Sequence, residues 1–213
     1  AGTALAADWS YEGATGPENW GSLDPAYEKC ASGLMQSPID LADSNARADV
    51  SVLTDYKPGP LTILNNGHTV QVNFAKGSKL TSGTMQFNLL QVHFHTPSEE
   101  VMHGQQYPMV AHFVHADAAG QLAVLGVLFE IGDANAELDK LIAAAPATKT
   151  DAQTVAGVML DPNGMLPDDL DEEIDTLGGI VVMLAGRVPA RGEVVCDDSG
   201  NEFEVVEADP RRI

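Results

Sequence analysis

Three histidines on two short stretches carry the chemistry open to this chain. They lie in Gln91-Val-His93-Phe-His95 and in Val110-Ala-His112-Phe-Val-His115. If residues 91 to 95 form a β-strand, side chains alternate between its faces, so Gln91, His93 and His95 share one face and Val92 and Phe94 the other. Residues 110 to 115 read as the next antiparallel strand. There His112 shares a face with Val114, opposite Phe113 and His115, and can complete a triangle with the first two imidazoles. Three neutral imidazoles and one open position make the ligand set of a catalytic zinc ion, Zn²⁺, with water in the fourth place. A lone histidine on a strand is more often a core or surface residue than a ligand, so the surroundings decide.

The elements that must hold these residues read as strands. Residues 50 to 56, 61 to 66, 69 to 75 and 84 to 94 alternate or run apolar between Gly, Pro and Asn breaks. Thr96-Pro97 ends the ligand strand, because proline cannot donate to a ladder. Residues 116 to 121 form a hairpin loop into Leu122 to Ile131, and Val155 to Leu160 is a further strand. Between these, Ala134 to Ala145 places Leu138, Leu141 and Ile142 at helical spacing, which predicts a short amphipathic helix. From Trp9 to Asp40 the chain reads as loops and short turns pinned by Trp9, Tyr11 and Trp20. The fold class is mainly β, a mixed, largely antiparallel sheet with few short helices.

With 213 residues the chain holds one large β-rich domain, or one domain and a small appendage. Its formal net charge of −20, from 31 acidic against 11 basic residues, argues against nucleic acid and anionic membrane surfaces as partners. No apolar run approaches the ~20 residues of a membrane span. The opening Ala1-Gly-Thr-Ala-Leu-Ala-Ala-Asp8 looks like the remainder of a small-residue signal cleavage site, which favours a periplasmic or secreted location. Two cysteines, Cys30 and Cys196, leave both a disulfide and two free thiols open. Oligomeric state is not legible.

Around the histidines the chain resembles the α-class carbonic anhydrases, whose zinc pair sits in Gln-x-His-x-His and whose third ligand opens His-x-x-His. The likeness extends to Trp9-Ser-Tyr11-Glu-Gly, Gly16-Pro-Glu-Asn-Trp20-Gly, Cys30 followed by Gln36-Ser37-Pro38-Ile39-Asp40, Leu64-Asn65-Asn66-Gly67-His68 and Leu122-Ala-Val124-Leu-Gly126. It covers residues 8 to about 167. The resemblance implies Zn²⁺ on His93, His95 and His112, with CO2 and bicarbonate as substrates. It implies His68 as the proton shuttle, Tyr11 at the rim of the water network, and Asn66 and Gln71, with Gln91, along the polar wall. It further implies Val114 and Val124 as the apolar wall for CO2, Glu99 as the carboxylate that orients a hydroxyl, and Cys30 as a half-cystine. Taken without the resemblance, His68 is a loop histidine, Glu99 and Glu100 are loop acids, and the two valines are core.

Two departures stand out. At Val110, on the strand face of the third ligand, the family places a glutamate that hydrogen-bonds that imidazole, and a partner of this kind is typically worth 10–100-fold in metal affinity or activity. Beyond Leu160-Asp-Pro-Asn-Gly-Met-Leu-Pro167 the family's Gly-Ser-Leu-Thr-Thr-Pro-Pro-Cys segment, with its gating threonine and second half-cystine, does not occur. Residues 168 to 213 instead resemble the C-terminal half of the transporter-associated domain of haemolysin-like and cobalt/magnesium-efflux proteins. That likeness implies a helix around Thr176 to Gly186 and then a hairpin, a small α/β tail able to dock a protein partner. The expected organisation is a zinc domain over 1–167 and this tail over 168–213, a chimeric pairing. Two functions follow: CO2 hydration at reduced rate, or a silent zinc-binding or interaction module on the same fold.

Overall fold

A computed structural model describes residues 9–34, 36–41 and 52–167, together with the backbone of Val194–Cys196 and Glu202–Glu204. The expected cleavage remnant at Ala1–Asp8, the tail helix with Thr176, and the side chain of Cys196 lie outside the described residues. Two single-turn helices, α1 (Trp20–Leu23) and α2 (Lys29–Ser32), punctuate the N-terminal segment. The strands that follow are β1 (Val52–Asp55), β2 (Gly59–Asn65), β3 (Val70–Asn73), β4 (Lys79–Ser82), β5 (Met85–His95), β6 (Val101–Met102), β7 (Gln105–Gln106), β8 (Met109–Ala116) and β9 (Leu122–Phe129). Helix α3 (Ala136–Ala144) and strand β10 (Gln153–Leu160) come next. Strands β11 (Val194–Cys196) and β12 (Glu202–Glu204) pair antiparallel within the tail, Val195 opposite Phe203, which agrees with the expected hairpin.

Eight strands form one antiparallel sheet in the order β1-β4-β5-β3-β2-β10, with β8 pairing both β5 and β9. The long β5 is its axis. One edge of β5 is taken by β8 along most of its length, while the other is shared by β4 near its start and β3 near its end. Strand β4 was not among the expected strands, because Lys-Leu-Thr-Ser is too short and too polar to announce itself by alternation.

One irregularity decides which side chains reach the site. The register of β5 against β8 shifts between Leu89 and Gln91, so that Leu90 is an extra residue on β5. Before it, the odd positions Phe87 and Leu89 are buried; after it, the even position Val92 is, at 0% exposure. A single inserted residue reverses the faces of the strand beyond it. Gln91, His93 and His95 are thereby turned away from the core. Leu90 itself is half-exposed.

The main core joins Leu61, Ile63, Val72, Val92, Phe113 and Leu160 across the sheet, with Leu141 of α3 packed beneath. Helix α3 starts at Asn135, whose Oδ1 accepts from the backbone N–H of Glu137 and Leu138, satisfying two otherwise orphaned donors. Leu141 is buried as its spacing requires, but Ile142 points into solvent at 74% exposure. Phe113 is fully buried and stacks on Tyr56 at 5.9 Å. Phe113→Ala is expected to cost about 3–5 kcal/mol of unfolding free energy, measured by urea titration, because the cavity left at a sheet centre cannot collapse.

Candidate metal centre

The three candidate ligand histidines meet across β5 and β8, with His95 two residues beyond His93 on the same face. His93 on β5 stands opposite His112 on β8, and the ring centroids of His93, His95 and His112 are 4.9 to 5.2 Å apart. One ring nitrogen from each lies within 4.8 Å of the others, the only such group of metal-ligating side chains among the described residues.

Which nitrogen faces inward follows from what holds the other. His93 Nδ1 is 2.9 Å from Gln91 Oε1, an acceptor, so Nδ1–H donates and Nε2 is left free. Tyr11 donates its O–H to Glu99 Oε1 at 2.8 Å, so the Tyr11 phenol oxygen accepts from His95 Nδ1–H at 3.2 Å. His95 Nε2 is then buried with no hydrogen-bond partner, the orphan a cation would satisfy. His112 Nε2 lies 2.7 Å from Glu100 Oε1 and donates to it, which leaves Nδ1. Three imidazoles thus present three lone pairs to one place, with every outer N–H bonded. This donor set suits zinc, which takes neutral imidazole and is commonly oriented by such outer bonds.

Electrostatics agree with neutral rings at His93 and His95. Burial first, and then the neighbouring His112 and His95, push His93 down to about 4. Burial likewise lowers His95, against the opposing charge of Glu99. For Glu100, burial alone would raise the carboxyl, but the hydrogen bond and charge of His112 outweigh it and the net direction is down. Burial, then the hydrogen bond and charge of Glu99, raise Tyr11, so its phenol stays a donor.

Glu100 is the residue that reading the sequence missed. The sequence pattern makes it a loop acid, and Val110 a lost partner for His112. Val110 is fully buried and does leave that role empty, yet Glu100 reaches the same ring from the loop beyond β5. Gly126 lies opposite His112 on β9, where a Cβ would stand in ordinary contact, 3.5 Å from Glu100 Oε1. An acid unexpectedly present beside the expected one was the available signal.

The remaining expected residues divide. Asn66, Gln71 and Gln91 line a cavity of about 330 Å³ shared with His93, His95 and Glu99. His68, at its mouth, is exposed and stacked flat on Trp9, ring centroids 3.8 Å apart at 4°. The Asn66 side chain accepts from the backbone N–H of His68 and Thr69, and Gly67 adopts φ 99°, the turn expected there. Val114 and Val124 pair across β8 and β9, but outside the walls of that cavity, with Val124 52% exposed. Cys30 is a free, exposed thiol. No described helix is long and apolar enough to cross a membrane.

His115, the other histidine of β8, belongs to the core instead. It is fully buried, its Nδ1–H donating to Ala123 O at 3.3 Å and its Nε2 accepting from Tyr56 O–H at 2.7 Å. Burial pushes it down to about 4, against weaker opposing backbone bonds, from an unfolded value near 6.5. Between these two values the unfolded chain binds the extra proton. Its contribution is therefore present above pH ~6.5 and lost as pH falls toward 4, on the order of 2–3 kcal/mol. Urea titrations at pH 7.5 and 4.5 are expected to show that loss in the parent and a smaller one in His115→Gln.

The family model described as eukaryotic-type carbonic anhydrase matches residues 15–174, and that described as transporter associated domain matches residues 168–213. A carbonic anhydrase of Klebsiella pneumoniae is 41% identical over 170 residues, which is 78% of this chain and 68% of that protein. One from Nostoc sp. is 37% identical over 169 residues, 77% of this chain and 64% of the relative, so the chain spans roughly two thirds of each. Among solved structures, the α-carbonic anhydrase of Photobacterium profundum aligns with a TM-score of 0.69 at 40% identity, covering 76% of this chain and 73% of that one. That of Thermovibrio ammonificans, solved with the inhibitor sulfanilamide, gives 0.68 at 39%, covering 76% and 72%.

Proposed function

This chain belongs to the eukaryotic-type carbonic anhydrase family, and from that premise we propose that it catalyses the zinc-dependent reversible hydration of CO2 to bicarbonate and a proton, at a reduced rate. The observation that carries the reading is the convergence of three free imidazole nitrogens, each backed by its own hydrogen-bond acceptor. His93, His95 and His112 would hold the zinc, through Nε2, Nε2 and Nδ1. Bound there, zinc lowers the pKa of water to ~7 and so supplies a hydroxide nucleophile at neutral pH. Gln91, Tyr11 and Glu100 fix the rings in ligating tautomers, and Glu99 holds the Tyr11 hydroxyl. Asn66 and Gln71 order water in the cavity, and Val114 with Val124, a cross-strand pair outside its walls on the strand face of His112, offers CO2 an apolar surface. His68, exposed at the mouth, takes the proton to buffer.

The reduced rate follows from the missing gating threonine, since one lost electrostatic donor costs about 3 kcal/mol of barrier. In a stopped-flow pH-indicator assay, zinc-loaded protein is expected to hydrate CO2 faster than buffer and metal-stripped protein is not. Equal rates with and without zinc would end the enzyme reading. We further propose a zinc domain over residues 1–167, a tail over 168–213 that docks a protein partner, and a periplasmic or secreted location. The tail's family match supports its bounds.

A further inference from the structure

Among the described residues the large sheet ends on three strands that pair on one side only, β1, β10 and β9. Two of them carry features that discourage a further strand. β1 is four residues long and ends in Asp55, which is ion-paired to Lys57. β10 breaks register against β2 between Thr154 and Met159, with Gly157 at φ 75°. Strand β9 has neither. Its eight residues, Leu122-Ala-Val-Leu-Gly-Val-Leu-Phe129, hold no charge and no proline, and they keep unbroken register with β8. A long, regular, uncharged edge is a template for another strand.

Which groups face that edge follows from the hairpin. Asp117 N–H donates to Gln121 O at 3.0 Å and closes the turn between β8 and β9. Antiparallel pairs alternate from there, so the odd residues from Ala123 to Phe129 bond to β8, and Leu122, Val124, Gly126 and Leu128 aim their N–H and C=O groups outward. These four share the strand face of His112, and Leu122 and Val124 are 58% and 52% exposed.

We propose that a second copy of this chain pairs antiparallel along that edge, Leu122 opposite Leu128 and Val124 opposite Gly126, to form a closed two-fold dimer with one continuous sheet. This register satisfies all four outward residues of each copy, with about eight backbone hydrogen bonds against the about ten of a standard interface. Sliding one copy by two residues either sets Leu128 against the turn at Gly120 or brings Glu130 opposite Leu122. The two-fold axis stands perpendicular to the sheet, so like faces meet: Leu122, Val124 and Leu128 of both copies line one side, and Ala123, Leu125 and Val127 the other. Charge selects the same occupant. Each copy carries a net charge of −20, and residues 118 to 129 hold no acid, so two copies can meet there without opposed carboxylates. On the site face the joined row reads His93, His112, Gly126 and then the second copy's Val124, which meets no side chain at Gly126.

Sedimentation velocity on the full chain, over a dilution series at low and high salt, tests this. The parent is expected to show a monomer–dimer equilibrium that moves toward dimer as salt screens the acidic charge. Leu122→Lys and Val124→Pro are each expected to raise the dissociation constant at least about tenfold, since each change enters the two-fold seam twice. Circular dichroism checks that both variants fold. Lysine lowers the net negative charge, so a weaker dimer could not come from general repulsion. Proline removes an outward N–H and spares the bonds to β8. In the parent, with no variant needed, amide exchange at Val124, Gly126 and Leu128 is expected to slow as protein concentration rises. A parent that stays monomeric throughout, or grows into species larger than a dimer, would overturn the proposal. So would a dimer that both variants leave unchanged, or exchange at those amides that ignores concentration.

Discussion

His95→Ala is expected to lose zinc at concentrations where the parent remains fully loaded, and with it all zinc-dependent hydration. Structural zinc sites bind with roughly 10–16 kcal/mol over four ligands, so one ligand is worth about 3 kcal/mol, more than a hundredfold in affinity. His95 is the sharpest choice because its Nε2 is a buried nitrogen left without a hydrogen-bond partner, while its Nδ1 joins Tyr11 and, through it, Glu99. The substitution removes a donor from the ion and leaves the core untouched, since His95 faces away from Val92 and Phe113. Equilibrium dialysis against a zinc chelator, with circular dichroism as a check on folding, reads the effect. Zinc held as tightly by the variant as by the parent would place the ion elsewhere.

The second large effect concerns Glu100. Glu100→Ala is expected to weaken zinc binding by 10–100-fold, the usual worth of an acceptor behind a ligating imidazole. His112 would lose its 2.7 Å acceptor and with it the preference for presenting Nδ1. Adding Val110→Glu to that variant is expected to recover part of the loss, because position 110 shares the strand face of His112 and lies one ladder step from it. Val110→Glu alone is expected to destabilise the fold, since it buries a second carboxylate where Glu100 already satisfies the ring. The recovery separates an orienting role from a packing one: a general loss of stability would not be repaired by a further buried acid. Chelator competition on all three variants provides the measurement.

What the sequence made legible divides by the range of the interaction. Strands β2, β3, β5, β8 and β9 follow from alternation and from Gly, Pro and Asn punctuation, and α3 from the spacing of Leu138 and Leu141. The triangle of His93, His95 and His112 was readable because it needs only period-two geometry and one antiparallel neighbour. The bulge at Leu90 was not, since an inserted residue shows only against a partner's register, and it alone sets which parity of β5 faces the cavity. Glu100 was hidden for a related reason: its reach to His112 depends on the path of the loop after β5. Ile142 carried the right spacing for burial, yet α3 is short and packs through Leu141, so one periodic position was left without a surface to meet.

The placement of His93 on β5 has a consequence for how the ion is acquired. Gln71 on β3 stands opposite it on one side and His112 on β8 on the other, so its backbone is laddered on both edges. Amides in such a place open last, only when the whole sheet does. Hydrogen exchange at residues 92 to 94 and 111 to 113 should therefore be slow in stripped protein and nearly unchanged by reloading. Unlike the small fingers that collapse around their ion, this sheet builds the cradle first. An ion bound by these histidines would arrive as a passenger in a finished seat.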